Sequence, residues 1–497
     1  MRKKSRIISL YILGITISYI SFPNIYYHVG WLAWGCLVPI LVIMSNYDRY
    51  RKRLQVSWIF FQLFFFALFW MNPFEYYERY ETIWMIVILI AFYAIFPLVF
   101  ASVLSIFNHK KKFQSLIILP TIWVIMEYLQ TIIPIGFPLS LAISQYQYPI
   151  VIQIARFTGI FGVSFMLVLL NVLISFWIIL KKQRYVYMGL GLMLVNIMLG
   201  SIYTNQKHTK ESSKLYTFIL IQPNIKWRDA YYAFENNYLY KQILTSLNQL
   251  AKQATKTVSD GIIVFPELTI SDFNFKNKQL QKTIKTITAN QFHVVIGARH
   301  DEKNSVFSFS PTGQMLSQYK KNKLVPMFEN NETKAVQYNE PLLLYDKTVQ
   351  LGTFICYESL FPSIARQHTK KGANSLGGVS FNTWLGNTNW AMLHMSYLPF
   401  RSVENNRYAF FLNNNGPSIA CDEKGQIIEN IPLGKKGFMI VKSPVITTKT
   451  FYTKFGNIGL IILTILILLR IIISKRIIQL SMSYLIKKIT KKNYITR

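Results

Sequence analysis

Apolar residues in this chain collect into long, nearly unbroken runs. Seven such runs, at 7–22, 31–45, 55–71, 84–107, 115–135, 150–180 and 185–203, precede a long polar stretch, and an eighth follows at 456–474. An apolar helix of about 20 residues crosses the hydrocarbon core of a bilayer, so the pattern predicts a multi-span α-helical membrane domain with about eight transmembrane helices. The 150–180 run is longer than a bilayer needs and is expected to be tilted, broken or partly interfacial. The first run follows Met1-Arg2-Lys3-Lys4-Ser5-Arg6, as a signal peptide would. No small-x-small cleavage site comes after it, so an uncleaved span is expected.

The polar stretch, 212–447, has a different rhythm. Strand-like runs at Tyr216–Gln222, Gly261–Phe265, His293–Gly297, Val349–Cys356 and Tyr408–Leu412 are separated in places by helix-compatible segments such as 236–256 and 392–406. Pro-Thr-Gly at 311–313 and Asp-Glu-Lys-Gly at 422–425 mark hairpin-like turns. This alternation predicts one layered α/β domain. The chain therefore divides into a membrane domain of about seven helices (1–207), the α/β domain (212–447), and a final helix with a basic tail (448–497).

Composition agrees with that division: 52% of the 497 residues are hydrophobic, 15% are charged, and the mean hydropathy is +0.26. The formal charge of +32 would suit nucleic acid, but its distribution excludes that reading. Basic residues cluster beside apolar runs: Arg2, Lys3, Lys4 and Arg6; Arg49, Arg51, Lys52 and Arg53; Lys110, Lys111 and Lys112; Lys181, Lys182 and Arg184; Lys475, Arg476, Lys487 and Lys488. The intervening short loops hold almost none, and positive charge marks the cytoplasmic side. Both termini are then cytoplasmic, and seven crossings put 212–447 on the extracytoplasmic face. Three cysteines are too few for a disulfide framework. Glu127 and Arg156 lie within apolar runs, where charge is costly; they are expected to pair with one another or to face water.

Three residues of the polar stretch carry nucleophilic chemistry. Cys356 ends an apolar run in Phe354-Ile355-Cys356-Tyr357-Glu358-Ser359, Glu267 follows Phe265-Pro266, and Lys321 lies in Tyr319-Lys320-Lys321-Asn322-Lys323. A thiolate is a competent nucleophile, a carboxylate can take and return its proton, and an amine can stabilise an oxyanion. Such a set performs acyl transfer through a thioester. A small buried hydrophobe, a strand-end carboxylate and one lysine among three fit the same positions, and spacing alone does not join them into a site.

Resemblance does join them. The polar stretch resembles the nitrilase, or carbon–nitrogen hydrolase, superfamily, in which a glutamate, a lysine and a cysteine occur in this order. The whole chain resembles the apolipoprotein N-acyltransferase family, the membrane-embedded branch of that superfamily. The resemblance rests on Trp31-Leu32-Ala33-Trp34 with Leu37-Val38-Pro39, Trp123-Val124-Ile125-Met126-Glu127, Gly136-Phe137-Pro138 and Gly159-Ile160-Phe161-Gly162-Val163-Ser164-Phe165. It continues through Gln222-Pro223-Asn224-Ile225 with Trp227, Phe265-Pro266-Glu267, Leu324-Val325-Pro326, Ile355-Cys356-Tyr357-Glu358, the trio His394, Arg401 and Glu404, and Asn414-Asn415-Gly416.

The resemblance implies an α-β-β-α sandwich with Glu267 as general base and acid, Lys321 as oxyanion-stabilising lysine and Cys356 as nucleophile. Glu329 matches a further required glutamate; Trp227, Tyr357 and Glu358 match positions supporting the site or its lipid pocket. No metal or organic cofactor is implied. Departures are Lys323 for the usual His, Phe328 for Gly, Tyr128 and Gln130 in the span-five Glu-Trp-Leu-Arg motif, and Phe381-Asn382-Thr383-Trp384-Leu385-Gly386 for Asn-Asp-Ala-Trp-Phe-Gly.

The implied enzyme moves an acyl chain from a membrane phospholipid to the diacylglyceryl-cysteine at a lipoprotein N-terminus, as a multi-pass monomer in a bacterial plasma membrane. The alternatives are a membrane-tethered amidase or nitrilase acting on extracytoplasmic amides, and a transporter or binding protein with an inactive nitrilase-like domain.

Overall fold

The computed structural model describes residues 2–45, 47, 50–70, 112–133, 137–206, 214–233, 236–270, 277–288, 291–300, 303–325, 329, 340–386, 388–466 and 469, together with 87, 91 and 95. Helices occupy most of the apolar runs: Arg2–Ser21, Tyr50–Trp70, Lys112–Gln130, Ile160–Leu180 and Arg184–Asn205. Among the described residues, Ile160–Leu180 and Arg184–Asn205 are long and apolar enough to cross a membrane. The span expected at 84–107 lies outside the described residues but for three positions, and the one expected at 456–474 is described only to 466 and at 469.

Two runs are not single helices. The 31–45 run divides into a 3-10 turn, Gly30–Trp34, and a short helix, Val38–Ser45. The 150–180 run is broken, as its length suggested. Short helices Pro149–Ile152 and Ala155–Thr158 end at Gly159, whose φ of 67° is the left-handed region that suits glycine. The long helix then starts at Ile160.

The polar stretch folds as two six-stranded sheets face to face. The first contains β1 (Leu215–Gln222), β2 (Gly261–Val264), β3 (Phe292–His300), β4 (Lys303–Phe309) and β5 (Met315–Lys320). The second contains β6 (Leu342–Leu344), β7 (Val349–Ile355), β8 (Ser375–Ser380), β9 (Ala409–Asn413), β10 (Ser418–Cys421) and β11 (Ile427–Ile431). The last strand, β12 (Gly437–Pro444), returns to the first sheet. The strand orders are β12-β1-β2-β3-β4-β5 and β11-β10-β9-β8-β7-β6. Parallel pairing joins β1, β2 and β3 in one sheet and β7, β8 and β9 in the other, so the C-terminal ends of the central strands converge.

Apolar side chains from both sheets, among them Phe218, Leu220, Val264, Val349, Ile355 and Leu412, fill the space between them. Helices Asn237–Ala254 and Lys278–Thr288 cover the outside of the first sheet. Outside the second lie Pro362–Lys370 and Leu398–Asn405. These layers make the expected α-β-β-α sandwich. The apolar cluster under that outer face runs on without interruption into the helices of the N-terminal part, from Phe354, Phe400 and Phe411 to Phe161, Leu167 and Ile40.

Polar contacts fix the same junction. Arg156 donates to Asn406 Oδ1 (2.7 Å) and to the Glu423 carbonyl (3.1 Å), and Gln153 donates to the Lys424 carbonyl. Lys424 Nζ donates to the Thr204 and Gln206 carbonyls at the end of Arg184–Asn205. The expected Glu127–Arg156 pair is not formed. Glu127 instead accepts from Trp123, Ser140 and the Leu141 amide, because the loop after its helix folds back over the carboxylate.

Candidate active site

The three sequence-predicted residues each follow the C-terminal end of a strand: Glu267 after β2, Lys321 after β5 and Cys356 after β7. The convergence of those ends brings them together, and all three are buried. Lys321 Nζ lies 3.3 Å from Glu267 Oε1 and 2.7 Å from Glu329 Oε1. Burial works against its charge, but Glu267 and Glu329 outweigh that cost and hold the ammonium pKa well above the ordinary value. Glu329 Oε2 also accepts from the Val325 amide at 2.7 Å, so one carboxylate ties Lys321 to the segment after it.

Glu267 is held from three directions. Its Oε1 accepts from Lys321 and from Asn304 Nδ2, and its Oε2 accepts from the Phe381 amide at 2.7 Å. Asn304 serves both partners, since its carbonyl accepts from the Lys321 amide at 2.9 Å. Sequence reasoning missed Asn304 and Phe381. An asparagine in a β-hairpin and a backbone N–H leave no mark that separates them from their neighbours.

Cys356 takes the left-handed conformation, with φ of 50°, which costs a non-glycine residue about 1 kcal/mol or more. The turn lifts the sulfur out of the line of β7. Burial, then the Glu267 charge, push the thiol above its ordinary value, and Lys321 acts in the opposite sense. At neutral pH the resting group is therefore the thiol, and a base is needed to make it a nucleophile.

Glu358 does not enter the reacting cluster. Fully buried, it accepts four hydrogen bonds: from the Asn322 and Lys323 amides, from the Ile355 amide and from the Tyr319 hydroxyl. It ties the backbone after Lys321 to the backbone before Cys356. Burial pushes its carboxyl up to about 7, against the pull of those donors. Tyr357 packs edge-on against Phe361 and against Phe137 from the loop after helix Lys112–Gln130. Trp227, on the short helix Trp227–Tyr232, is half-buried with its ring edge toward Phe381. All seven predicted residues thus lie in or beside one site. His394 belongs there too: its Nε2 contacts the Cys356 carbonyl at 2.8 Å.

Both parts of the chain are similar to known proteins. Residues 16–173 match the model of the apolipoprotein N-acyltransferase N-terminal domain, and residues 220–449 match that of the carbon–nitrogen hydrolases. The chain is 24% identical to an apolipoprotein N-acyltransferase of Geobacter metallireducens, with 88% of this chain and 89% of that one covered. It is also 24% identical to one of Thermotoga maritima, with 90% of each covered. Among solved structures, a nitrilase-superfamily protein of Saccharomyces cerevisiae is 18% identical with a TM-score of 0.38, covering 48% of this chain and 92% of that one. With both family models matched in order, and with relatives aligned over nearly their whole length, the chain belongs to the apolipoprotein N-acyltransferase family.

Proposed function

We propose that this chain N-acylates lipoproteins with a fatty chain taken from a membrane phospholipid. Glu267 removes the Cys356 proton as the sulfur attacks the ester carbonyl. The carbon–sulfur bond forms, the carbon–oxygen bond breaks, and Glu267 returns the proton to the departing lysophospholipid oxygen. Lys321 and the Tyr357 amide stabilise the oxyanion of the tetrahedral intermediate. The α-amino group of a diacylglyceryl-cysteine then attacks the thioester, its proton passes through Glu267 to the sulfur, and the acyl chain leaves as an amide. Glu329 and Glu358 hold Lys321 and the two strand ends in register, while Tyr357 and Trp227 line the approach of the chain.

The observation that carries this reading is a buried Glu–Lys–Cys cluster between two sheets, the cysteine-bearing one of which shares one apolar core with the helices of the N-terminal part. Confining both substrates to one leaflet raises their effective concentration at the thiol. The match of residues 16–173 to the acyltransferase N-terminal domain supports acyl transfer over the amidase alternative. The reading includes a membrane domain at 1–207, the catalytic domain at 212–447 facing away from the cytoplasm, and a last span and tail at 448–497. It includes eight spans with cytoplasmic termini in a bacterial plasma membrane, and a monomer as the working form.

Mass spectrometry of the purified protein after incubation with phospholipid alone tests the first half-reaction. An acyl adduct on Cys356 that is absent from Cys356→Ala is expected; no adduct, or an equal one on the variant, would refute it. Lipoproteins from cells lacking the protein should carry two fatty chains in place of three.

A further inference from the structure

A groove of about 390 Å³ lies between three helical segments and contains no member of the catalytic cluster. That volume falls within the range of small-molecule sites, about 300–1,000 Å³. Its walls come from helix Lys112–Gln130 (Val124), the broken run around Gly159 (Phe157, Phe161, Phe165) and the last helix, from Ile458 onward (Leu460, Leu463). Phe451 and Gly459 also line it and are exposed, so the groove opens outward. A methyl added at Gly459 would meet no atom within 4 Å among the described residues, so a missing side chain keeps that part open.

The lining is apolar but for two side chains. Thr158 turns its hydroxyl back on the Ile154 and Gly159 carbonyls. Asn457 presents a buried Oδ1 with no hydrogen-bond partner among the described residues. A buried acceptor without a donor is costly, so this one calls for a ligand hydroxyl. Positive charge gathers where the chain leaves the sandwich for the last helix. Lys454 is exposed between the lining residues Phe451 and Gly456. Arg366 donates to the Tyr452 and Lys454 carbonyls at 3.0 and 2.9 Å, and its Cζ lies 2.8 Å from where a methyl on Gly456 would sit. No acidic residue lines the groove among the described residues, and none occurs in the chain after Glu429.

We propose that this groove binds a second phospholipid, one that is held and not consumed: an anionic lipid with a hydroxyl on its headgroup. One fatty chain lies along the phenylalanines and leucines, the phosphate meets Lys454 and Arg366, and the headgroup hydroxyl donates to Asn457 Oδ1. No cysteine, lysine, histidine or carboxylate lines the groove, so nothing there attacks the ester. The inference rests on the reading that these helices lie in a bilayer, which brings such lipids beside them. The bound lipid joins the broken run to the segment leaving the sandwich. Glu404 ties the same junction through the Ile160 amide and through Thr450 and Thr453.

Native mass spectrometry of the full-length protein in detergent tests this, after incubation with palmitoyl-oleoyl phosphatidylglycerol or with the phosphatidylcholine of the same chains. A retained phosphatidylglycerol that is lost in Gly459→Phe, whose ring fills the groove, is expected. Lys454→Ala should weaken its retention about fivefold, the worth of one basic residue beside an anionic headgroup. Equal retention of the two lipids, or retention unchanged in Gly459→Phe, would overturn the proposal. Should Gly459→Phe fail to fold, phosphatidylglycerol with a diazirine in one fatty chain is crosslinked to the native protein. Adducts on the peptides carrying Phe161 and Leu460 are expected, and adducts confined to other peptides would overturn it. The acyl adduct on Cys356, read in the same samples, separates this inference from the acyltransferase reading. An acylated Cys356 beside an unoccupied groove refutes the groove alone. A lipid held in the groove with Cys356 unmodified supports the groove and counts against the catalytic reading.

Discussion

Glu358 illustrates how much a single buried carboxylate can organise without touching substrate. Glutamine at that position keeps one oxygen but turns two hydrogens toward groups that donate, leaving two of the four donors unmade. Each buried donor left unpaired costs about 1–3 kcal/mol, so Glu358→Gln should lose about 2–6 kcal/mol in denaturant unfolding, with activity falling alongside. His368 makes a prediction in pH. It is buried on Pro362–Lys370 with its ring against Tyr319, and burial, then Lys371, lower it to about 4. The native state therefore binds fewer protons than the unfolded chain between that value and about 6.5. This contribution to stability is present above pH 6.5 and is lost as pH falls toward 4, by up to about 1.4 kcal/mol per pH unit. Comparison with His368→Gln isolates it: the stability difference between the two proteins should shrink steadily across that window.

At the scale of elements, the site is made by strand ends and by what the neighbouring strand permits. The Pro266-Glu267 backbone lies against β3 at Gly297, where an added methyl would sit 2.6 Å from Glu267 Cα and closer still to the Pro266 carbonyl. Backbone cannot yield as a side-chain tip can. Gly297→Ala should therefore displace Glu267 from Lys321 and the Phe381 amide, and a misplacement of about 1 Å costs on the order of 10²-fold in rate. Single-turnover acylation of Cys356 measures this directly. An unchanged rate would mean that β3 does not set the position of the base.

Across the whole molecule, the junction between the sandwich and the N-terminal helices contains a buried ion pair. Arg401 and Glu404 lie on one helix, both fully buried, 3.1 Å apart. Glu404 Oε1 also accepts from the Ile160 amide at 2.8 Å, capping the long helix Ile160–Leu180 from the catalytic side. Its backbone carbonyl accepts from Thr450 and Thr453, where the chain leaves the sandwich. Glu404→Gln removes the partner of a buried guanidinium, a change that costs about 3–5 kcal/mol; a lower unfolding temperature in detergent is expected. Arg156→Ala acts at the same junction, away from the thiol. It releases Asn406 and the Glu423 carbonyl and removes a positive charge that acts on the buried Glu423 carboxylate, so phospholipid-dependent acylation should slow while small-molecule alkylation of Cys356 stays at the native rate.

Sequence by itself determined the long apolar helices, the α/β nature of the polar stretch and the residue types of the acyl-transfer set, because periodicity and chemistry are local properties of a chain. The length of the 150–180 run left a break as one of three outcomes, and only the backbone conformation at Gly159 decided it. Several strands left little trace: β8 reads Ser-Leu-Gly-Gly-Val-Ser, with nothing apolar in alternation, because it is buried on both faces between β7 and β9. The resemblance joined Glu267, Lys321 and Cys356 before any geometry was known, whereas spacing could not, since 54 and 35 residues separate them. Only the tertiary structure decided that Asn304 grips both Glu267 and Lys321, that Glu358 staples two strand ends, and that Glu127 and Arg156 turn to separate partners. Those contacts depend on strand register and on how two sheets and a helical bundle meet, and no stretch of sequence encodes such long-range distances on its own.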